Sequence, residues 1–349
     1  MSRAPLRIAV LGAGTVGREV VRALCERSPE LTAAGRPLVL AGIAVRDVDG
    51  ARGRGLPADL LTDAPAHLVA SPDTDVIVEL MGGEEPARTL ISAALAAGKA
   101  VVTANKHVIA HHGAELEGLA RRTGVSLRFE ASVGGGIPVL GPIATELAGN
   151  RLTAVRGIVN GTTNYILSAM ADEGRDYGEV LAAAQAAGYA EADPSGDVEG
   201  HDAVNKLVIL ARLAFGTWLD PAEIPTVADD GPGAGQPGIT GIGASEIAAA
   251  RAAGRTIKLI AAATRSRDDR IAASVLPKEV PFDSPLGRTA GVLNRIEVDG
   301  EPVGTVAFSG PGAGGPATSS AVLGDLVAVG RDLGSTWAGL SPATVAVPR

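Results

Sequence analysis

Lys206 lies in a helical stretch whose other positions, Val204, Leu207, Val208, Leu210 and Ala211, are apolar. A lysine there is partly desolvated, and burial lowers its pKa toward the range where it can give and take protons. Asp202 precedes it by four residues, on the same helix face. An exposed pair of this kind would be a helix salt bridge worth about 0.2–0.5 kcal/mol. Here Glu191 and Asp197 also precede the lysine within one short segment. Several carboxylates around one lysine suit a substrate that carries an ammonium group. Asp193, directly before Pro194, reads instead as a turn or cap residue. A second lysine, Lys106, closes Thr103-Ala104-Asn105-Lys106 at an expected strand end.

Near the N-terminus, Gly12-Ala13-Gly14-Thr15-Val16-Gly17 follows a strand-like run and opens a helix-like one. In that context the first glycine allows a tight turn. The second lets backbone approach a pyrophosphate, and the third lets helix pack on strand. The spacing predicts a dinucleotide site. A ribose-reading residue is expected about 20 residues further on, after the second strand. Arg46 and Asp47 stand there. Asp47 would accept from the ribose hydroxyls of NAD, and Arg46 would pair with the 2′-phosphate of NADP. Arg46 comes first off the strand and tips the reading toward NADP, with NAD left open.

These residues need a scaffold. Apolar runs at 8–11, 39–45, 76–80, 101–103 and 125–129 alternate with helix-like stretches at 16–27, 86–97 and 113–123. That alternation predicts a parallel sheet covered on both faces. Beyond Gly136 the pattern changes. A helix is expected at 137–148, a strand at 152–159, then helices at 163–172, 177–187 and 199–215. Strands follow at 257–264, 271–276, 292–298 and 303–308, and a last helix at 318–333. The glycine- and proline-rich stretch 229–243 reads as a surface loop. The expected fold class is α/β: a Rossmann dinucleotide-binding domain (1–135, rejoined by 310–349) and a mixed α+β domain (136–309).

Composition excludes several classes. A net charge of −8 offers no basic footprint for nucleic acid. No apolar run reaches the length of a membrane span. The single cysteine, Cys25, permits no disulfide framework within the chain. The five histidines show no metal-ligand spacing, and His111-His112 reads as a loop or helix start. No signal-peptide pattern opens the chain, so a cytoplasmic location is expected.

Four segments now stand together: Thr103-Ala104-Asn105-Lys106, Phe129-Glu130-Ala131-Ser132-Val133-Gly134-Gly135-Gly136-Ile137-Pro138, Asn160-Gly161-Thr162-Thr163-Asn164, and Gly188-Tyr189-Ala190-Glu191-Ala192-Asp193-Pro194 running on to Lys206. In order and spacing they resemble the homoserine dehydrogenases. The resemblance runs from Gly12 to Lys206 and resumes at Gly310-Pro311-Gly312-Ala313-Gly314 with Thr318. It implies reversible, NAD(P)-dependent oxidation of L-homoserine to L-aspartate 4-semialdehyde, a step toward threonine and methionine. That chemistry needs a hydride acceptor and a group that moves the hydroxyl proton. The resemblance implies Lys206 as acid/base, Lys106 beside the reacting oxygen, and Asp202 orienting Lys206 or touching the substrate. Glu191 and Asp197 would hold the substrate amine, and the turn with Gly161 and Thr162 would face the substrate. Taken alone, Thr162 or Thr163 could equally be a helix N-cap.

The same resemblance adds Thr103, Lys106, Gly314 and Thr318 to the cofactor residues Gly12, Ala13, Gly14, Thr15, Val16, Gly17 and Arg46. It implies a monovalent cation, usually sodium, on the Glu130 carboxylate and the carbonyls of Val133, Gly135 and Ile137. It also implies a homodimer, and a catalytic core without the regulatory C-terminal domain of some relatives. Two rivals remain open. Aspartate-semialdehyde dehydrogenase would need a thiolate nucleophile, and Cys25, inside the first helix, is badly placed for one. A non-catalytic nucleotide sensor would keep the glycine turn without needing the lysines and carboxylates together.

Overall fold

The computed structural model describes residues 4–345, so 1–3 and 346–349 lie outside the described residues. The chain folds as two units. One runs to Thr145 and resumes over Ala313–Ala343; the other spans Glu146–Gly312 and takes in Thr344 and Val345.

The first unit has a six-stranded parallel sheet. Its strands are β1 (Leu6–Leu11), β2 (Leu38–Ala44), β3 (Leu61–Thr62), β4 (Val76–Glu79), β5 (Ala100–Thr103) and β6 (Leu127–Arg128), in the order β3-β2-β1-β4-β5-β6. Ile8, Val10, Val76, Val78 and Val102 are fully buried, as expected for strands covered on both faces. Val20, Val21 and Leu24 of the helix Thr15–Glu26 and Val322 and Leu326 of the last helix, Gly315–Gly330, belong to the same core. Each large aliphatic side chain buried there contributes about 1.5–3 kcal/mol. The helix Lys106–Thr123 starts at Lys106 rather than at 113, because Asn105 caps it: the Asn105 Oδ1 accepts from the Val108 amide at 3.1 Å. His111 and His112 therefore lie inside a helix, and His112 Nε2 meets Glu84 Oε1 at 2.7 Å.

The first unit extends past Gly136 because Glu130 reaches forward. Its carboxylate accepts from the amides of Val139, Leu140 and Gly141 at 2.7–2.8 Å, where the short helix Leu140–Ala144 begins. The expected helix 137–148 is confined to these few residues.

The second unit has β7 (Arg151–Ile158), β8 (Thr217–Trp218), β9 (Arg255–Arg265), β10 (Ile271–Pro281), β11 (Leu293–Glu301), β12 (Gly304–Pro311) and β13 (Thr344–Val345). Five form an antiparallel sheet, β10-β9-β7-β11-β12, and β13 pairs with β8. The helices Gly161–Glu173, His201–Phe215 and Ala244–Ala252 pack on this sheet. Stretch 229–243 is a loop, as its composition suggests, exposed in its first half but turned inward in its second. Ile239 and Ile242 are buried, and the Ile239 amide donates to the Val198 carbonyl at 2.8 Å. Gly238 has φ +57, and a Cβ there would lie 2.0 Å from that same carbonyl. Among the described residues, no helix is long and apolar enough to cross a membrane.

Candidate active site

In the first unit the glycine turn is built by exclusion of side chains. Gly12 has φ +97, and a Cβ on it would sit 2.6 Å from the Leu80 carbonyl oxygen. A Cβ on Gly17 would sit 2.0 Å from the Gly12 carbonyl oxygen. Beside Gly14 an added Cβ would meet nothing within 4 Å, so the backbone there faces open space. The three glycines thus divide into two packing positions and one facing position. Gly14 stands at the N-cap of the helix Thr15–Glu26, where the helix dipole and the first amides favour an anion. The last helix begins alongside. Gly314 (φ +111) is its N-cap, and a Cβ on Gly315 would lie 2.9 Å from the Thr15 carbonyl oxygen.

Gly12, Ala13 and Gly14 line a cleft of about 680 Å³ that also takes in Arg46, Asp47 and Arg54. Asp47 is the N-cap of the helix Val48–Gly53, accepting from the Gly50 amide at 2.8 Å. One of its oxygens is therefore committed to the chain itself. Arg54, which the sequence did not single out, joins Arg46 on the cleft wall.

The strand-end residues Glu79 and Thr103 form a buried pair. The Thr103 hydroxyl donates to Glu79 Oε2 at 2.6 Å and accepts from the Asn105 amide at 2.9 Å. Glu79 also accepts from the Met81 amide at 2.7 Å. Burial pushes the Glu79 carboxyl above its ordinary value, and these donors work against that rise. The Thr103 side chain, expected among the cofactor residues, is thus fully buried and supports the bend that delivers Lys106.

Glu130 lies next to a second buried acid. Its amide donates to Asp325 Oδ2 at 2.8 Å, and Arg128 Nε pairs with Asp325 Oδ1 at 2.7 Å. Burial, with Asp325 adding to it, raises the pKa of Glu130. Both Glu130 carboxylate oxygens are held by the amides of Val139, Leu140 and Gly141. The Glu130 carboxylate, an expected cation ligand, thus also caps the start of the helix Leu140–Ala144. Among the described residues, no group of three or more His, Cys, Asp or Glu side chains could hold a metal ion.

The second unit carries the lysine cluster. Lys206 is buried, and its Nζ donates to Asp202 Oδ2 and to the Val159 carbonyl, both at 2.7 Å. Asn160 joins the carboxylates: its Nδ2 donates to Asp197 Oδ1 at 2.6 Å and to Asp202 Oδ2 at 2.8 Å. The Asn160 Oδ1 accepts from the Thr163 amide at 2.8 Å, so Asn160 is also the N-cap of the helix Gly161–Glu173. The cap is therefore neither Thr162 nor Thr163; the Thr162 hydroxyl donates to the Tyr189 carbonyl at 2.9 Å. Asn294 completes the ring, donating to the Val159 carbonyl at 3.0 Å.

The structure thus unites Lys206, Asp202 and Asp197 and adds Asn160 and Asn294. A glycine is required at 161 because a Cβ there would sit 2.9 Å from the Val292 carbonyl oxygen. Glu191 stands exposed, on the segment that follows Tyr189. Asp193 accepts from the Ser195 amide at 3.1 Å, the turn its place before Pro194 indicates. Cys25 lies exposed in the helix Thr15–Glu26, and partial desolvation with the neighbouring Glu26 charge raises its thiol pKa, away from the thiolate that a thioester mechanism needs.

Comparison with known proteins agrees with this geometry. Residues 12–130 match the family model described as "Homoserine dehydrogenase, NAD binding domain", and residues 138–327 match that of "Homoserine dehydrogenase". The chain is 47% identical over 333 residues to the homoserine dehydrogenase of Mycobacterium tuberculosis, covering 94% of this chain and 73% of the relative. It is 46% identical over 330 residues to that of Corynebacterium glutamicum, covering 93% and 72%. The crystal structure of a homoserine dehydrogenase from Thiobacillus denitrificans superposes with a TM-score of 0.88 at 38% identity, over 99% of this chain and 80% of that one. A hyperthermophilic archaeal homoserine dehydrogenase in complex with NADPH superposes with a TM-score of 0.74 at 26% identity, over 93% and 98%. These matches set aside both rivals, and the chain belongs to the homoserine dehydrogenase family, NAD(P)-dependent oxidoreductases that act on a CH–OH group.

Proposed function

We propose that Lys206 carries the proton in the interconversion of L-homoserine and L-aspartate 4-semialdehyde. The observation that supports this most is its burial against one carboxylate and one carbonyl, each 2.7 Å from Nζ. A nicotinamide cofactor held by the turn Gly12–Gly17 would supply reversible hydride transfer at the substrate's C4. Lys206 takes the hydroxyl proton in oxidation and gives it back in reduction. Asp202 and the Val159 carbonyl fix the direction of Nζ. Asp197 and Glu191 receive the substrate ammonium, and Lys106 assists at the reacting oxygen. The turn with Gly161 and Thr162 faces the substrate. In steady-state assays with L-homoserine, Lys206→Ala should lower kcat about 100-fold or more and leave cofactor binding intact. An unchanged kcat overturns the assignment.

Arg46 and Arg54 on the cleft wall support NADP as the preferred cofactor. Asp47, the residue that would favour NAD, has an oxygen engaged in capping. The archaeal relative's complex with NADPH agrees with this preference. In this reading Ala13, Thr15 and Val16 border the pyrophosphate, and Gly314 and Thr318 border the nicotinamide half. Arg46→Ala should raise KM for NADP by about tenfold, the loss of one good charge-assisted contact, and change KM for NAD little. Equal changes for both count against the preference.

A monovalent cation would rest on the Glu130 carboxylate and the carbonyls of Val133, Gly135 and Ile137. Those hard oxygens suit sodium, and three amides fix the orientation of the Glu130 carboxylate. Dependence of thermal stability on sodium against a bulky organic cation tests this. We also propose that the chain assembles as a homodimer, and light scattering that reports a monomer would overturn this.

A further inference from the structure

A second lysine is buried in the same unit. Lys258 stands on β9 between Ile257 and Leu259 and is only 2% exposed. Its Nζ donates to Asn164 Oδ1 at 2.9 Å, Ser168 Oγ at 3.2 Å and the Thr289 carbonyl at 2.8 Å. All three acceptors are uncharged. A buried ammonium is costly unless its donors are satisfied, so an aliphatic residue would be the cheaper choice for a strand core. The acceptors explain what the lysine organises.

Asn160, Asn164 and Ser168 are spaced four residues apart on one face of the helix Gly161–Glu173 and its cap. They form a polar seam with Lys206's partners at one end and Lys258 at the other. The seam also grips segment 289–294. Asn164 Nδ2 donates to the carbonyls of Thr289 and Leu293 at 3.2 and 3.1 Å, and the Gly291 amide donates to Ser168 Oγ at 3.3 Å. That segment places the Val292 carbonyl where it would meet a Cβ on Gly161 at 2.9 Å. It then delivers Asn294 to the Val159 carbonyl, the acceptor shared with Lys206.

We propose that Lys258 is a positioning residue for this reaction: it pins segment 289–294 against the start of the helix Gly161–Glu173 and so holds Val159, Asn160 and Asn294 around Lys206. The proposal rests on the reading of Lys206 as the proton carrier. Lys258 touches none of the reacting atoms and acts through the seam.

The test combines kinetics with amide hydrogen exchange on the full chain. Lys258→Met should lower kcat about tenfold, as expected for a small misplacement at a catalytic group, with the cofactor KM unchanged. Exchange should quicken at 289–294 and at 161–164. Lys258→Gln, which keeps amide donors without charge, should recover part of the lost rate. Should the methionine variant fail to fold, Ser168→Ala removes one acceptor of Lys258 and the partner of the Gly291 amide; a two- to threefold fall in kcat with the same exchange pattern supports the proposal. Unchanged kcat in the folded variants overturns it, as does a fall in kcat with unaltered exchange at 289–294. A wild-type chain inert toward homoserine instead overturns the reading of Lys206, and exchange at 289–294 then still decides whether Lys258 pins the segment.

Discussion

At the cofactor turn, Gly12 and Gly17 leave out atoms that would lie 2.6 and 2.0 Å from backbone oxygens. Around Lys206, the opposite holds: Asp202, Asn160, Asp197 and Asn294 bring atoms in, within 2.6–3.0 Å of one another's partners. The first site is a shape made by backbone and read by an anion. The second is a charge pattern made by side chains from a strand end, a short helix, a long helix and a distant strand. The turn should therefore fail by steric collision, and the cluster by loss of individual donors.

The largest effect should come from filling the turn. Gly17→Val places a side chain against the Gly12 carbonyl, which is backbone and cannot swing aside. Overpacking costs about 1–3 kcal/mol, equivalent to about 5- to 150-fold in affinity, and a backbone collision belongs at the upper end. Titration with reduced cofactor should show that loss. Hydrogen exchange in segments 159–164 and 201–206 should stay as in wild type. Normal cofactor affinity in this variant would break the steric account of the turn.

Asn160→Asp separates cap from bridge in the cluster. Aspartate caps helices about as well as asparagine, so the Thr163 amide keeps its acceptor. The two donors to Asp197 and Asp202 are lost, and a third carboxylate faces them. Like charges at this range repel and disturb the orientation of Asp202, and with it Lys206. We expect kcat to fall about tenfold or more and thermal stability to change less than in Asn160→Ala, which loses the cap as well. An aspartate variant as active as wild type would show that the bridge has no part in turnover.

The two sites also differ in how far the sequence discloses them. Gly12, Gly14 and Gly17 answer to constraints within one strand-turn-helix, so their spacing is enough. Asp202 and Lys206 are visible for the same reason, one helical turn apart. Asn160 is not, because its role depends on meeting Asp197 and Asp202, 37 and 42 residues later. Glu79 and Lys258 are hidden differently. Each is a charged residue inside an apolar strand run, where pattern reading counts the neighbours and passes over the exception. The same limit explains stretch 229–243, whose glycines suggest an exposed loop while Ile239 and Ile242 carry it inward. The parallel first sheet and the mixed α+β character of the second unit were foreseeable in kind, because period and connection length decide them.

The remaining effect is on stability, and it sets the unit that carries Lys206 and Lys258 apart from the turn once more. Burial pushes the Lys258 ammonium down from 10.5 to about 8, with Asp172 acting through space in the opposite direction. Between about pH 8 and 10.5 the unfolded chain therefore holds a proton at this site that the folded chain has released. Folding is penalised in full below that window, and the penalty eases as pH rises through it. Lys258→Met removes the titration. Relative to the variant, wild type should gain stability across the window by at most about 1.4 kcal/mol per pH unit, and less where other groups relax to share the charge. Urea unfolding of both proteins at pH 7.5, about 9 and about 10 measures the difference. Parallel curves would mean that Lys258 keeps its proton in the folded state, held by Asn164, Ser168 and Thr289 as a permanent cation. The seam would then be a fixed electrostatic brace rather than one that neutral lysine can also sustain.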